Sequence, residues 1–139
     1  MNNNTNLFVI SAPSGAGKTS LLKTLIKRNK RLNYSISYTT RTPRKNETHG
    51  QDYFFVSTNA FNNLKNNGEF IEYANVFGNL YATSKTQVRN IIKNNLHAIL
   101  EIDWQGAQQV RESMPECISI FILPPSQKAL KERLFNRDT

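Results

Sequence analysis

The sequence predicts an α/β fold built on a parallel central sheet. Short apolar runs alternate with amphipathic stretches at both ends of the chain, and the middle carries several closely spaced strand patterns. The length of 139 residues and the apolar content of 38% suit one modest core. We therefore expect one domain in which helices cover both faces of the sheet through right-handed crossovers, with a small β-rich insert.

The first part of the chain has the pattern of a strand, a tight loop and a helix. Leu7 to Ile10 is a short apolar run that stops at a glycine-containing segment, and an amphipathic pattern begins just after Lys18. Tyr34 to Tyr38 predicts a second strand. The polar segment from Thr39 to Gln51 has the composition of a functional loop.

The middle of the chain predicts the insert. Asp52 to Val56 has a strand pattern, and Asn59 to Asn66 carries apolar residues at helical spacing. Phe70 to Ala74 and Val76 to Tyr81 predict two short strands around a turn at Gly78-Asn79.

The last part returns to alternating strands and helices. Ser84 predicts the N-cap of a helix, and His97 to Ile102 has the continuous apolar pattern of a buried strand. Gln105 to Glu112 predicts a short helix. Cys117 to Leu123 predicts another apolar strand, and Ser126 is placed to cap a final helix.

The composition limits the classes of partner. A net charge of +8 favours anionic partners, but basic residues such as those from Lys23 to Arg31 recur once per turn, as on a solvated helix face. We expect no nucleic-acid partner, because the nucleic-acid-binding signatures are absent. Cys117 is the single cysteine and predicts a buried, inert thiol. The run from Leu7 to Ile10 is too short for a membrane span or a signal peptide, so we expect a cytoplasmic protein with no membrane partner.

A phosphate-binding loop is predicted from Ala12 to Thr19. The segment matches the P-loop pattern, with Gly-Lys-Thr between a strand and a helix, except that Ala12 stands at the first glycine position. Small residues let backbone N–H groups point at phosphate oxygens, Lys18 adds a mobile charge, and the Thr19 hydroxyl suits Mg²⁺. The predicted ATP- and phosphate-binding residues are Ala12, Pro13, Ser14, Gly15, Ala16, Gly17, Lys18, Thr19 and Ser20.

The segment from Ser37 to Arg44 resembles the TTRxPR motif of guanylate kinases. Two arginines three positions apart, around a rigid proline, can turn two guanidinium groups toward one phosphate. The resemblance covers nearly the whole chain and continues, in the family's order, at 50–56, 69–74, 77–83 and 102–107.

This resemblance implies a site for the acceptor nucleotide, GMP. Guanidinium and phenol groups would hold its phosphate, the Glu72 carboxylate would accept from the guanine N1–H and amine, and the Ser37 and Thr83 hydroxyls would donate to O6. Asp103 would lie near the amine and the magnesium side. The implied GMP-binding residues are Ser37, Arg41, Arg44, Tyr53, Glu72, Tyr81, Thr83 and Asp103.

The sequence departs from the family pattern at Glu101 and Ala82, and its lid stretch at 136–139 lacks the usual glycine. The resemblance also implies the domain limits. Glu101 stands where aspartate is usual, and Ala82 replaces a usual glycine. The implied core is 1–38 and 84–134, with a GMP-binding subdomain at 39–83. Arg133 and Arg137 resemble the start of the family's lid at 135–139, and the rest of the lid and the last strand are absent from the sequence. The implied catalytic residues are Lys18, Arg41, Arg44 and Arg137.

The favoured hypothesis is ATP-dependent phosphorylation of GMP to GDP in purine nucleotide metabolism, with Mg²⁺ as cofactor. No catalytic base is expected because the acceptor is already anionic. A non-catalytic guanylate-kinase-like module that binds a partner protein is the alternative, and the Gly-Lys-Thr sequence favours the enzyme. A P-loop kinase for another acceptor is opposed by the combination of Glu72 with Ser37 and Thr83. The oligomeric state stays open.

Overall fold

The computed structural model describes residues 6–12, 18–123 and 126–135. Within these ranges, no helix combines the length and apolarity needed to cross a membrane. The elements, in chain order, are β1 (Leu7–Ser11), α1 (Lys18–Arg28), β2 (Leu32–Tyr34), β3 (Tyr38–Thr39), β4 (Phe54–Phe55), α2 (Thr58–Asn66), β5 (Phe70–Val76), β6 (Asn79–Ser84), α3 (Lys85–Lys93), β7 (His97–Glu101), α4 (Trp104–Ser113), β8 (Ile118–Phe121) and α5 (Gln127–Phe135).

The central sheet has the strand order β2-β7-β1-β8, and all of its pairs are parallel. Side chains alternate between its two faces. On one face Val9 and Leu100 pack with Val110 of α4, and on the other Ile99 packs with Leu22 of α1. The predicted α/β fold with helices on both faces of a parallel sheet is therefore confirmed.

A second sheet, with the order β4-β3-β6-β5, lies in the middle of the chain. It is mixed, because β3 pairs with β4 in parallel whereas β6 pairs with β3 and β5 antiparallel. Ala82 of β6 is fully buried against Phe61 and Phe70. It pairs with Tyr38 on one side and Tyr73 on the other, so the alanine sits in a regular strand.

The prediction of one strand from Tyr34 to Tyr38 is wrong. The strand β2 ends at Tyr34 in the central sheet, and β3 begins at Tyr38 in the second sheet. The Ser35 N–H still donates to the Ile99 carbonyl oxygen of the central sheet. Two residues later, the Ser37 carbonyl oxygen accepts from the Phe54 N–H of the second sheet. A run of strand-forming residues does not reveal that the chain passes between two sheets.

The structure also differs from the predicted position of one turn and the predicted length of one strand. The turn between β5 and β6 occupies Phe77 and Gly78, whose φ angles are 52° and 83°, so it begins one residue earlier than predicted. Paired positive φ angles are those of the turn that best matches strand twist. The strand β8 is shorter than predicted, its residues are exposed, and in the described sheet it pairs with β1 alone. Cys117 beside it is half-buried, whereas a buried thiol was predicted.

Candidate functional site

A cleft of about 480 Å³ lies between the carboxyl ends of the central strands and the second sheet. Open α/β sheets place their ligand-facing residues at this edge. The cleft brings together half of the residues that the sequence singled out, namely Lys18, Thr19, Ser37, Arg41, Arg44, Tyr53, Glu72, Tyr81 and Asp103.

The remaining predicted residues lie elsewhere. Thr83 is completely buried beneath the cleft, where it contacts Glu72. Ala12 follows β1 and is half-buried, and Ser20 is exposed on α1, where its carbonyl oxygen accepts from the Thr24 hydroxyl. Five loop residues and one arginine lie outside the described residues: Pro13, Ser14, Gly15, Ala16, Gly17 and Arg137.

The first turn of α1 meets the end of β7 at one side of the cleft. The Thr19 hydroxyl donates to Oε1 of Glu101 at 2.5 Å, and Nζ of Lys18 lies 4.0 Å from the same oxygen. Glu101, which stands where the family resemblance implies aspartate, thus contacts the Thr19 hydroxyl. Burial raises the pKa of the nearby Tyr34 hydroxyl to about 12, with the charge of Glu101 adding to the effect.

This pair of oxygen ligands fits a magnesium ion. A threonine hydroxyl and a carboxylate are hard ligands of the kind Mg²⁺ binds, and Mg²⁺ usually takes its other ligands from water and substrate phosphates. In the described ranges no group of three or more His, Cys, Asp or Glu side chains could hold a metal by itself. His49 and His97 each accept a backbone N–H at Nδ1, from Phe55 and Asn6 respectively.

Arg41 is held in a fixed orientation at the other side of the cleft. Its Nη1 and Nη2 donate to the two carboxylate oxygens of Glu47 at 2.8 and 2.9 Å, and Nη1 also donates to the Thr42 carbonyl. Its Cζ lies 5.4 Å from the ring centre of Tyr53 and 5.9 Å from that of Phe55. The hydrogen bonds to Glu47 raise the pKa of Arg41, so the guanidinium stays charged.

The other predicted phosphate ligands surround Arg41. Arg44 lies in the same loop with an exposed side chain, and its backbone N–H donates to Oε1 of Glu47 at 2.8 Å. The rings of Tyr53 and Tyr81 meet edge to face, with centres 5.9 Å apart. Burial raises the pKa of Tyr53, so its hydroxyl remains a donor at neutral pH. The cluster therefore combines cationic and hydroxyl donors around one part of the cleft.

Glu72 forms the buried end of the cleft. It is 4% exposed, and its Oε1 accepts from the Thr83 hydroxyl at 2.7 Å. Burial raises the pKa of Glu72 to about 7, and the charge of Asp103 acts in the same direction, while the hydrogen bond from Thr83 opposes it. Asp103 caps α4 by accepting from the Gly106 N–H at 2.8 Å. A carboxylate with this burial is suited to reading a ligand's hydrogen-bond donors.

Two residues at the site have no role in the sequence-based prediction. Glu47 makes the paired contact with Arg41. The sequence feature that could have indicated this contact is an acidic residue three positions after Arg44, in the loop that carries both arginines. Gly106 lies against Glu72, and a Cβ there would be 2.8 Å from Oε2. The sequence marks Gly106 only as part of the segment 102–107.

The fold and the cleft define an α/β nucleotide-binding protein of the P-loop class. Residues 4–139 match the family model "Guanylate kinase". The chain is 54% identical over 131 residues to a guanylate kinase of Nitrosomonas europaea and 51% identical over 131 residues to one of Alkalilimnicola ehrlichii, in each case over 94% of this chain. The chain belongs to the guanylate kinase family.

The architecture agrees with a solved member of that family. The structure of guanylate kinase from Anaplasma phagocytophilum superimposes with a TM-score of 0.77 at 38% identity, over 94% of this chain and 65% of that one. The chain spans about 65% of the length of the curated relatives it matches.

Proposed function

We propose that the protein catalyses the ATP-dependent phosphorylation of GMP to GDP. The observation that carries this proposal is the buried carboxylate of Glu72 at one end of the cleft that contains Arg41 and Arg44. The guanine base of GMP would bind at the Glu72 end of the cleft, and its phosphate would bind at the end with the two arginines. Membership of the guanylate kinase family supports the same reaction. On this proposal, residues 39–83 form the GMP-binding subdomain, and the reaction belongs to cytoplasmic purine nucleotide metabolism.

The base-reading half follows from hydrogen-bond chemistry. Guanine presents two adjacent donors, N1–H and the amine, and an ionised carboxylate can accept both. Glu72 would provide these acceptors, Ser37 would donate to O6, and Asp103 would accept from the amine. Thr83 would donate to O6 only by releasing Glu72, because its single hydroxyl hydrogen is bonded to Oε1. Adenine has no matching pair of donors, so AMP would leave buried polar groups unpaired.

The phosphate-holding half would use Arg41, Arg44, Tyr53 and Tyr81. Their donors would hold the GMP phosphate so that one of its oxygens faces the transferred phosphoryl group. Lys18 and the P-loop, with Arg137, would bind the ATP phosphates from the other side. The reaction then needs positioning and charge neutralisation, and no protein base.

Mg²⁺ would be held by Thr19 directly and by Glu101 directly or through water. When bound, the ion neutralises charge on the phosphate oxygens. The contact between Thr19 and Glu101 at 2.5 Å supports this assignment, because it brings the two oxygens side by side next to Lys18. A non-catalytic binding module would have no use for this pair next to Lys18, so the enzyme is the better supported proposal.

Isothermal titration with GMP and AMP, alongside a coupled assay of ADP formation, tests the proposal. We expect selective binding of GMP, and we expect Glu72→Gln to weaken GMP binding far more than ATP binding, because an amide presents one acceptor and one donor where two acceptors are needed. Equal binding of GMP and AMP, or equal loss of both substrates in the variant, would contradict the base-reading role.

A further inference from the structure

Glu47 is bonded to three groups of the loop that carries both arginines. Its two oxygens accept from Nη1 and Nη2 of Arg41, and Oε1 accepts in addition from the backbone N–H of Arg44. The Glu47 side chain is 17% exposed, and that of Arg41 is 13% exposed. A paired, largely desolvated contact of this kind fixes orientation as well as charge.

The contacts with Glu47 and Thr42 use one end of the Arg41 guanidinium. Glu47 occupies the Nη1–Nη2 end, and the Thr42 carbonyl oxygen accepts a further hydrogen from Nη1. A guanidinium has a second paired edge, made by Nε–H and the remaining Nη2 hydrogen, which can bind an anion with two parallel bonds. Arg41 lines the cleft with Tyr53 and Tyr81, and the Tyr81 side chain also interacts with the guanidinium. A phosphate bound there would meet this second edge together with the Tyr81 hydroxyl.

We propose that Glu47 is a positioning residue for the acceptor phosphate. It holds the Nη1–Nη2 end of Arg41, so that the Nε–Nη2 edge of the guanidinium faces the cleft. The same carboxylate sets the backbone at Arg44, so one side chain aligns both arginines. Glu47 itself does not touch the substrate. This inference rests on the proposed function, because it names how that function's phosphate site is built.

Removal of Glu47 should weaken phosphate binding, whereas charge alone would lead one to expect tighter binding. Glu47 is an anion 2.8 Å from Arg41, and removing it would make the site more positive, which by Coulomb attraction should tighten phosphate binding. If Glu47 instead orients Arg41, its removal lets the long arginine side chain sample other rotamers, and phosphate binding weakens. The two effects can be separated by experiment.

The test compares GMP with guanosine, which lacks the phosphate, in titrations followed by NMR on the protein and its Glu47→Gln and Glu47→Asp variants. We expect both variants to bind GMP at least about 10-fold more weakly, with guanosine binding unchanged. Glu47→Asp keeps the charge but has an arm too short to make all three contacts. Glu112→Gln, at an exposed position on α4, is the matched control for the charge change and should behave as the wild type.

Each other outcome overturns the inference. Equal or tighter GMP binding by Glu47→Gln would mean that Glu47 only competes with the phosphate, and wild-type GMP binding by Glu47→Asp would mean that charge suffices. A parallel loss of guanosine binding would assign Glu47 to general folding. Failure of the proposed function would show differently, as a wild-type protein that binds GMP no better than AMP.

Discussion

A Cβ atom added to Gly106 would lie 2.8 Å from Oε2 of Glu72, closer than such atoms pack in folded proteins. It would also lie 3.2 Å from Oδ1 of Asp103. Each carboxylate is held by a hydrogen bond, Glu72 by Thr83 and Asp103 by the N-terminus of α4, so moving either of them away would strain or break that bond. A glycine is therefore required here by the close approach of two carboxylates, with no need for an unusual φ angle.

Replacing Gly106 by alanine should displace the Glu72 carboxylate. We expect Gly106→Ala to lower the free energy of unfolding by about 1–3 kcal/mol, as for overpacking of a core. Guanosine binding should weaken as well, because the two acceptor oxygens of Glu72 would be turned away from the ligand. Chemical denaturation and titration with guanosine measure the two effects.

Gly68→Ala is the matched control for this variant. Gly68 has a φ of 71°, so alanine there is strained, but nothing lies within 4 Å of the added Cβ. This control should lose stability by about 1 kcal/mol and keep full guanosine affinity. If the two alanine variants bound guanosine equally well, Gly106 would have no role in placing Glu72.

Guanosine affinity should rise as the pH is raised through about 7. The pKa of Glu72 is raised to about 7 by burial, so below this pH the carboxyl is mostly protonated and offers one acceptor fewer. Binding of guanine should then release a proton. Calorimetric titrations in buffers of different ionisation enthalpy measure this release, and guanosine is the better ligand because a phosphate titrates near pH 6 itself. A pH-independent affinity between about pH 5.5 and 8.5 would contradict the assignment.

The same group should make stability depend on pH. The folded-state pKa of Glu72 lies above its ordinary value of 4.5, so its contribution to stability is fully present below pH 4.5 and is lost as the pH rises through about 7. We expect the stability of Glu72→Gln relative to wild type to increase between about pH 5 and 8.5, by roughly 3 kcal/mol at most. Urea denaturation at the two pH values measures the difference.

Glu69→Gln provides the contrast for that measurement. Hydrogen bonds from Thr86 and Ser84 lower the pKa of Glu69, so its contribution is present above pH 4.5 and is lost only in acid. This variant should lose the same stability at both pH values. Equal pH dependence of the two variants would show that the effect does not arise from Glu72.

The hydroxyl of Thr83 should contribute to the state of Glu72. Thr83→Val keeps the shape of the side chain but removes the donor that bonds Oε1 at 2.7 Å. Losing this bond should destabilise the protein by about 1–3 kcal/mol and raise the pKa of Glu72 further. The rise in guanosine affinity should therefore move to higher pH. Thr83→Ser retains the hydroxyl and should restore a nearly normal pH profile, and a profile unchanged in Thr83→Val would exclude the coupling.

Local sequence patterns predicted the elements whose signals are contained within a few residues. The apolar runs of β1 and β7 and the caps at Ser84 and Ser126 are of this kind, because a cap binds an N–H only three residues away. The prediction from Tyr34 to Tyr38 was wrong for the opposite reason. The chain there changes from one sheet to another, and the partner strands that decide this lie far along the sequence.

The sequence by itself determined the parallel α/β core, the phosphate-loop pattern and the family resemblance, because these depend on local periodicity and on short ordered motifs. Only the tertiary structure decided the state of the site's charged groups. Thr19 and Glu101 meet although they are 82 positions apart, and Glu72 is buried against a glycine of another element. Burial and charge neighbours are set by packing between distant segments, and they determine whether a carboxylate is a solvated surface group or a buried one with a raised pKa.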